Sequence, residues 1–399
     1  MTSKYKERLA QLERILLLQN SVINIDELRR ICENGIDEKF RPLCWRILLG
    51  YMPLERDAWA DFLKKQRETY DAIVEEIIVA PGQALSLCSN NWKKYFKDNE
   101  VLLQIDKDVR RLCPEIEFFQ KATNFPHRKR KCEFCWFEKT LFGLSMKNPE
   151  KFLFFFDYLL SLLIRITFQF IPSPSKVAKN DYTNEILCEG AEYHWQVVER
   201  ILFVYSKLNP GVKYVQGMNE IVGPLYYVFS NDNNTEWTQF AEADTYYCFQ
   251  ILMSEIKDNF IKTLDNSNCG ITWVMSQFCE RLRICDHQLY DHLVSKLAVK
   301  PQFFAFRWLS LLLSQEFPLP DVIIIWDSVF SASNRINIVQ WICIAVLQRE
   351  RQNLLNGDFS SCLRLLQDTV PEDHKKFRLE SASRFATAFA NKIRSLAKK

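Results

Sequence analysis

The sequence predicts an all-α protein with no substantial β-sheet, and three observations carry that reading. Apolar residues recur at helical spacing in segment after segment. No stretch alternates apolar and polar residues for long enough to build a sheet. Glycine and proline are few, 10 and 14 in 399 residues, which is unlike turn-dense β folds. Hydrophobic residues at 48% and charged residues at 25% give the balance of a folding chain and exclude wholesale disorder. The 52 basic and 49 acidic residues leave a net charge of +3, too near neutrality for a dedicated nucleic-acid binder. Thirteen scattered cysteines and an opening Met1-Thr-Ser-Lys-Tyr-Lys without a signal peptide point to reduced thiols in the cytosol. No repeat of fixed period appears, so a regular solenoid is not expected.

The expected helices follow in chain order. Residues 5–19 place Leu9, Leu12 and Leu16 on one stripe. Residues 26–34 begin at Asp26, a capping type, and stop at Gly35. Residues 42–49 open on Pro42, whose missing N–H costs nothing in a first turn, and stop at Gly50. Residues 99–112 follow Asp98 and halt before Pro114. Residues 192–208 are amphipathic through Val197, Val198, Ile201, Leu202, Tyr205 and Leu208, then break at Asn209-Pro210-Gly211. Helices are expected again over 301–316, 321–330 (capped by Asp321 after Pro320) and 335–350. Over Pro371–Lys399 a helix gathers Phe377, Phe385, Phe389, Ile393 and Leu396 on one side, with basic residues near its end. It reads as a packing helix or as a contact for a membrane surface or partner.

Two stretches differ from the rest. His127-Arg-Lys-Arg-Lys131 opens a basic loop, and residues 152–171 are strongly apolar and rich in Phe. The second has the length of a membrane span but carries Asp157, Arg165 and Gln169. On an insertion scale its apolar gain nearly cancels the cost of the two charges. A buried or surface-docked helix, a poorly ordered insert and a true span therefore all stay open. Pro172-Ser-Pro-Ser175 and the polar run to Asn184 read as a linker.

Self-contained catalytic machinery is not visible. There is no phosphate-binding Gly-x-x-x-x-Gly-Lys-Ser/Thr or Gly-x-Gly-x-x-Gly, and no Gly-x-Ser-x-Gly elbow. Cys132-Glu-Phe-Cys135 lacks a second pair at zinc spacing, and Cys279, Cys285 and His287 do not share a helix face, so no metal site is expected.

Three short motifs remain. In the helix 99–112, Ile105, Asp108 and Arg111 stand three apart. Asp108 and Arg111 are neighbours on one surface, where the carboxylate can orient the guanidinium; taken alone, this is also the spacing of an ordinary surface ion pair. Tyr214-Val-Gln216-Gly217-Met-Asn219 lies between the Asn209-Pro210-Gly211 break and an apolar run. That places Gln216 at a loop-to-helix junction, with Gly217 permitting close approach of another backbone and Tyr214 wedging the loop against the core. A capped turn with a surface glutamine would look the same. Arg41-Pro-Leu-Cys-Trp45 puts a large indole one turn after an arginine, a pair that reads as structural, with Arg41 bonding nearby carbonyls.

Arg-x-x-x-Trp, Ile-x-x-Asp-x-x-Arg and Tyr-x-Gln, in that order and in a helical chain, resemble the TBC (Tre-2/Bub2/Cdc16) domain. The segments Phe304-Ala-Phe-Arg307-Trp308, Leu319-Pro320-Asp321 and Trp326-Asp327 are similar to its C-terminal half. The resemblance implies the multi-helix TBC-domain fold over residues 32–350, with an N-terminal helical lead-in over 1–31 and a helical tail over 351–399. It also implies a GTPase-activating protein for Rab-type small GTPases, acting in membrane traffic. In that family an arginine and a glutamine are supplied in trans. Carried over, Arg111 is the arginine finger, Asp108 its orienting partner and Gln216 the glutamine finger, while Ile105, Tyr214, Gly217, Arg41 and Trp45 support them. An arginine so placed is worth about 10³–10⁵ in rate, or about 4–7 kcal/mol. GTP and Mg²⁺ would then be the partner's, with no cofactor of the chain's own, and the setting cytoplasmic with recruitment to endomembranes or the plasma membrane. The stretch 127–184 has no place on the family pattern. If it covered the groove, the chain would instead be a scaffold that binds a GTPase or adaptor without accelerating hydrolysis.

Overall fold

A first-turn proline, two left-handed glycines and one asparagine set the path of the N-terminal helices. In the computed structural model, which describes residues 3–18, 22–33, 35–78, 90–127, 191–261 and 270–367, helix α1 (Ser3–Glu13) runs into a π-turn at Arg14–Leu18. Helix α2 (Ile25–Cys32) is capped by Asn24, whose Oδ1 accepts from the amides of Asp26 and Glu27, both at 3.1 Å. The cap is thus two residues earlier than expected, because Asn24 is extended and free to bend back while Asp26 already lies within the first turn. Gly35 and Gly50 take φ values of +94° and +84° and turn the chain after α2 and after α3 (Arg41–Leu48).

Leaving aside the single turns Thr235–Thr238 and His287–Tyr290, the helices that follow are α4 (Trp59–Ile77), α5 (Asn90–Val109), α6 (His194–Leu208), α7 (Met218–Ser230), α8 (Ala241–Ile256) and α9 (Ile271–Cys285). After them come α10 (Ala305–Ser310), α11 (Leu319–Ser331), α12 (Arg335–Arg349), α13 (Arg351–Asn356) and α14 (Phe359–Gln367). The protein is all-α. Among the described residues the β pairing consists of two isolated bridges, Val22 with Glu55 and Ala122 with Tyr193. No described helix is long and apolar enough to cross a membrane. The Phe-rich segment 152–171, the linker after it and the helix expected over 371–399 lie outside the described residues.

Helix α7 is central: it packs against α6, α8 and α11, and nearly every one of its side chains is buried. Helices α5 and α6 form a neighbouring layer. Trp45, Trp308 and Trp326 are fully buried, and Trp45 meets Phe330 edge-on at 4.9 Å between centroids.

The core also encloses ion networks that apolar periodicity does not reveal. Asp244 on α8 accepts from Arg46 Nε at 2.9 Å, from Arg67 Nε and Nη2 at 3.0 and 2.8 Å, and from the Tyr51 hydroxyl at 3.0 Å. Asp327 on α11 accepts from Arg41 Nε at 3.1 Å, Trp45 Nε1 at 2.8 Å and the Ile36 amide at 2.9 Å. Burial raises the Asp327 carboxyl to about 6, against the pull of Arg41 foremost among its donors. Arg41 therefore engages a carboxylate as well as the expected carbonyl, that of Ile36 at 2.6 Å. The Arg-x-x-x-Trp motif is the donor half of a clasp between α3 and α11.

Two expectations are corrected. Residues 301–316 do not form one helix. A 3-10 turn at Pro301–Phe303 leads to the short α10, and Leu312 and Leu313 then adopt left-handed φ values of +52° and +64°. The break is held from outside, because Trp326 Nε1 donates to the Leu312 carbonyl at 3.0 Å. Asp321 is not a cap: α11 begins at Leu319 after Pro318, and Asp321 is buried in its first turn.

Candidate functional site

The site begins at the end of α5. Ile105 and Val109 are fully buried and pin that end to the core. The helix then tightens: the Arg111 amide donates to the Asp108 carbonyl at 3.2 Å and the Leu112 amide to the Val109 carbonyl at 3.1 Å. Leu112 packs where Gly223 of α7 leaves room, since a Cβ on Gly223 would sit 2.9 Å from Leu112 Cδ1. Cys113, at φ +43°, and Pro114 turn the chain away. Two adjacent arginines emerge here with opposite fates. Arg110 pairs with Asp106 at 2.8 Å and lies 4.3 Å over the ring of Trp195. Arg111 is exposed, and its guanidinium has no hydrogen bond or ion pair with any described residue.

The second segment is the turn before α7. Asn209-Pro210-Gly211 breaks α6, Lys213 takes φ +60°, Tyr214 is buried and Gln216 is exposed. Gly217 then takes φ +101° as the cap of α7, and a Cβ on it would meet Leu311 Cδ2 at 2.9 Å. The role expected for this glycine is thus amended: it accommodates a left-handed turn under a leucine side chain rather than another backbone.

Asp108 departs from its expected place. Its carboxylate makes no ion pair with Arg111; Oδ2 instead accepts from the Tyr214 hydroxyl at 2.7 Å. Arg111 lies past the last helical residue, where the chain has already tightened, so regular helical spacing no longer sets the two side chains beside each other. The motif residue ties the arginine-bearing end of α5 to the glutamine-bearing turn. Asn219, on the first turn of α7, adds to the tie, with Nδ2 donating to the Asp108 carbonyl at 3.4 Å and to Glu220 Oε1 at 2.8 Å.

An open cavity of about 250 Å³ lies beside Arg111, with Glu115, Glu220, Pro224, Arg307 and Gln315 in its wall. Gln216 is not in that wall; it stands on the turn four residues before Glu220. Arg307 is held by Glu316 at 2.5 and 2.9 Å, whereas the Arg111 guanidinium in the same wall has no partner among the described residues. Burial lifts the Glu220 carboxyl to about 7, opposed by its bonds to Gln315 and Asn219. A guanidinium without an internal partner at an open rim is suited to binding anionic oxygens brought by another molecule. Arg41 and Trp45 lie in the core clasp. Sequence reasoning did not single out Asn219 or Glu220; their position directly after Tyr-x-Gln-Gly-Met was the available signal.

Comparison with known proteins places these features in context. The Rab-GTPase-TBC domain model matches residues 189–355. TBC1 domain family member 13 from Homo sapiens is 46% identical over 388 residues, covering 92% of this chain and 95% of that protein. A TBC domain-containing protein from Schizosaccharomyces pombe is 31% identical over 435 residues, covering 91% and 70%. The solved Ypt/Rab-GAP domain of Gyp1p superposes with a TM-score of 0.66 at 22% identity, covering 96% of this chain and 98% of that one, a likeness of fold.

Proposed function

The chain belongs to the Rab-GTPase-TBC domain family, and from that premise we propose that it accelerates GTP hydrolysis by a Rab-family small GTPase, supplying Arg111 and Gln216 in trans. One observation carries the proposal. Of two adjacent arginines at the end of α5, Arg110 is engaged with Asp106 and Trp195, whereas Arg111 stands beside an open cavity without a partner for its guanidinium among the described residues. A guanidinium kept out of internal ion pairs incurs no cost of breaking one when a phosphate arrives.

In this reading the partner brings the nucleotide and its Mg²⁺. Arg111 neutralises charge developing on the transferring phosphoryl oxygens, and the carboxamide of Gln216, one acceptor and two donors, orients the attacking water. The Asp108–Tyr214 bond supports the arrangement by fixing one segment against the other. The work of such a protein lies in membrane traffic, at the cytoplasmic membranes where Rab proteins act.

The test is phosphate release from a panel of GTP-loaded Rab proteins. The full-length chain is compared with Arg111→Ala, Gln216→Ala and Arg110→Ala. Stimulation by the Arg111 variant should fall by about 10³-fold or more, while Arg110→Ala should retain it to within about threefold. Undiminished stimulation by Arg111→Ala would overturn the assignment. Tight Rab binding with no stimulation by the unaltered chain would favour a scaffold.

A further inference from the structure

Asn219 is buried, 3% exposed, on the first turn of α7, three residues after Gln216. A buried carboxamide must place two donors and an acceptor, and this one directs them at both proposed catalytic segments. Its Nδ2 lies 3.4 Å from the Asp108 carbonyl, the same oxygen that receives the Arg111 amide at 3.2 Å. The same nitrogen donates to Glu220 Oε1, in the cavity wall, at 2.8 Å. Its Oδ1 faces the Tyr214 hydroxyl at 3.4 Å, a hydroxyl whose shorter bond, 2.7 Å, goes to Asp108 Oδ2. The amide orientation is set by these neighbours: two acceptors face the nitrogen and one donor faces the oxygen.

We propose that Asn219 is a positioning residue that holds the turn bearing Arg111 in register with the turn bearing Gln216, so that the two side chains are presented together. The inference rests on the dual role proposed above for those residues, and its geometry stands apart from that role. The Asp108 carbonyl lies near the end of α5, where the i+4 amide is replaced by the tighter i+3 bond from Arg111, so a second donor from outside the helix helps to set how the final turn is wound. The side chain is buried and acts from beneath the surface. Its effect travels through the backbone of Arg111 and through Tyr214.

The test uses the full-length chain with two variants, Asn219→Ala and Asn219→Leu, the second keeping the volume while removing every polar atom. Two readouts separate this inference from the one it rests on. In hydrogen–deuterium exchange, peptides covering 108–112 and 214–220 should exchange about tenfold faster in both variants, while α8 and α12 stay unchanged. In Rab GTP hydrolysis, kcat should fall about 10- to 100-fold with KM within about threefold, as for a misplaced catalytic group. In an Arg111→Ala background, Asn219→Ala should add less than about a further threefold. Unchanged exchange at 108–112 overturns the inference, and so does unchanged kcat where Arg111→Ala alone is inactive. If Arg111→Ala itself retains full stimulation, the finger assignment falls, and the exchange data still decide whether Asn219 joins the two turns.

Discussion

The Tyr214 hydroxyl donates to Asp108 Oδ2 at 2.7 Å, fastening a residue two before Gln216 to a residue three before Arg111. One short bond thus spans 106 positions of sequence and holds two otherwise separate turns together. It also occupies the carboxylate that spacing alone assigns to Arg111.

Removing that hydroxyl should therefore impair hydrolysis as well as folding. A hydrogen bond to a charged group contributes about 1.5–3 kcal/mol. Tyr214→Phe should lower stimulated kcat about 10- to 100-fold with little change in KM. Single-turnover hydrolysis over a range of concentrations of the activating chain checks this, and an unaltered kcat would show that the bond is structural only.

Gly217→Ala should destabilise the protein by about 1–3 kcal/mol. A left-handed φ costs a residue with a Cβ about 1–2 kcal/mol, and the new atom would press on Leu311 at 2.9 Å. Adding Leu311→Ala should restore tolerance of the Cβ itself but not the backbone cost. Urea unfolding of the single and double variants separates the two contributions.

Asp327→Ala should cost about 3–5 kcal/mol, because it leaves the buried indole N–H of Trp45 without its acceptor and the partly buried Arg41, which keeps the Ile36 carbonyl, without its counterion. Asp327→Asn should cost less, since its oxygen still accepts one bond. Chemical denaturation at pH 7.5 measures both; an alanine variant as stable as the parent would mean that the clasp is dispensable.

Two groups set opposite slopes of stability against pH. Burial lowers His194, stacked on Phe118 and bonded to the Tyr226 hydroxyl at 2.8 Å, to about 4. A histidine depressed in the fold contributes stability that is full above about 6.5 and is lost as pH falls toward 4. For this partly open side chain the loss is about 2 kcal/mol. His194→Gln should flatten that acid limb in urea titrations between pH 7 and 4.5.

Glu220 works in the other sense. Held near 7 in the fold but ionising near 4.5 when unfolded, it removes stability as pH rises from about 4.5 to 7, by about 2 kcal/mol. Glu220→Gln should be stabilising at pH 8 and neutral at pH 4.5. Equal effects at both values would mean that the carboxyl ionises freely.

The helical architecture was legible in the sequence wherever punctuation was local. Gly35, Gly50, Pro42 and the Asn209-Pro210-Gly211 break mark real ends, and Ile105, Tyr214 and Trp45 are buried as their types predict. What failed depended on distant partners. The helix read over 301–316 is broken by two left-handed leucines, one anchored by an indole from α11. Helix α8 gives little amphipathic signal because it is buried on most sides. The Asp108 bond is invisible to spacing, since its partner lies 106 residues away. The Asp106–Arg110 pair stands at helical i, i+4 spacing and is open to a sequence reading, whereas the packing of Arg110 on Trp195 could be learned only from the fold.

The clasps at Asp244 and Asp327 also bear on where the chain can be cut. The donors to these acids come from Ile36, Arg41, Trp45, Arg46, Tyr51 and Arg67, all upstream of the span matched by the family model. A fragment trimmed to 189–355 would carry both acids into a core stripped of their counterions. Truncation studies of this chain should therefore keep the segment Ile36 to Arg67 together with the matched span.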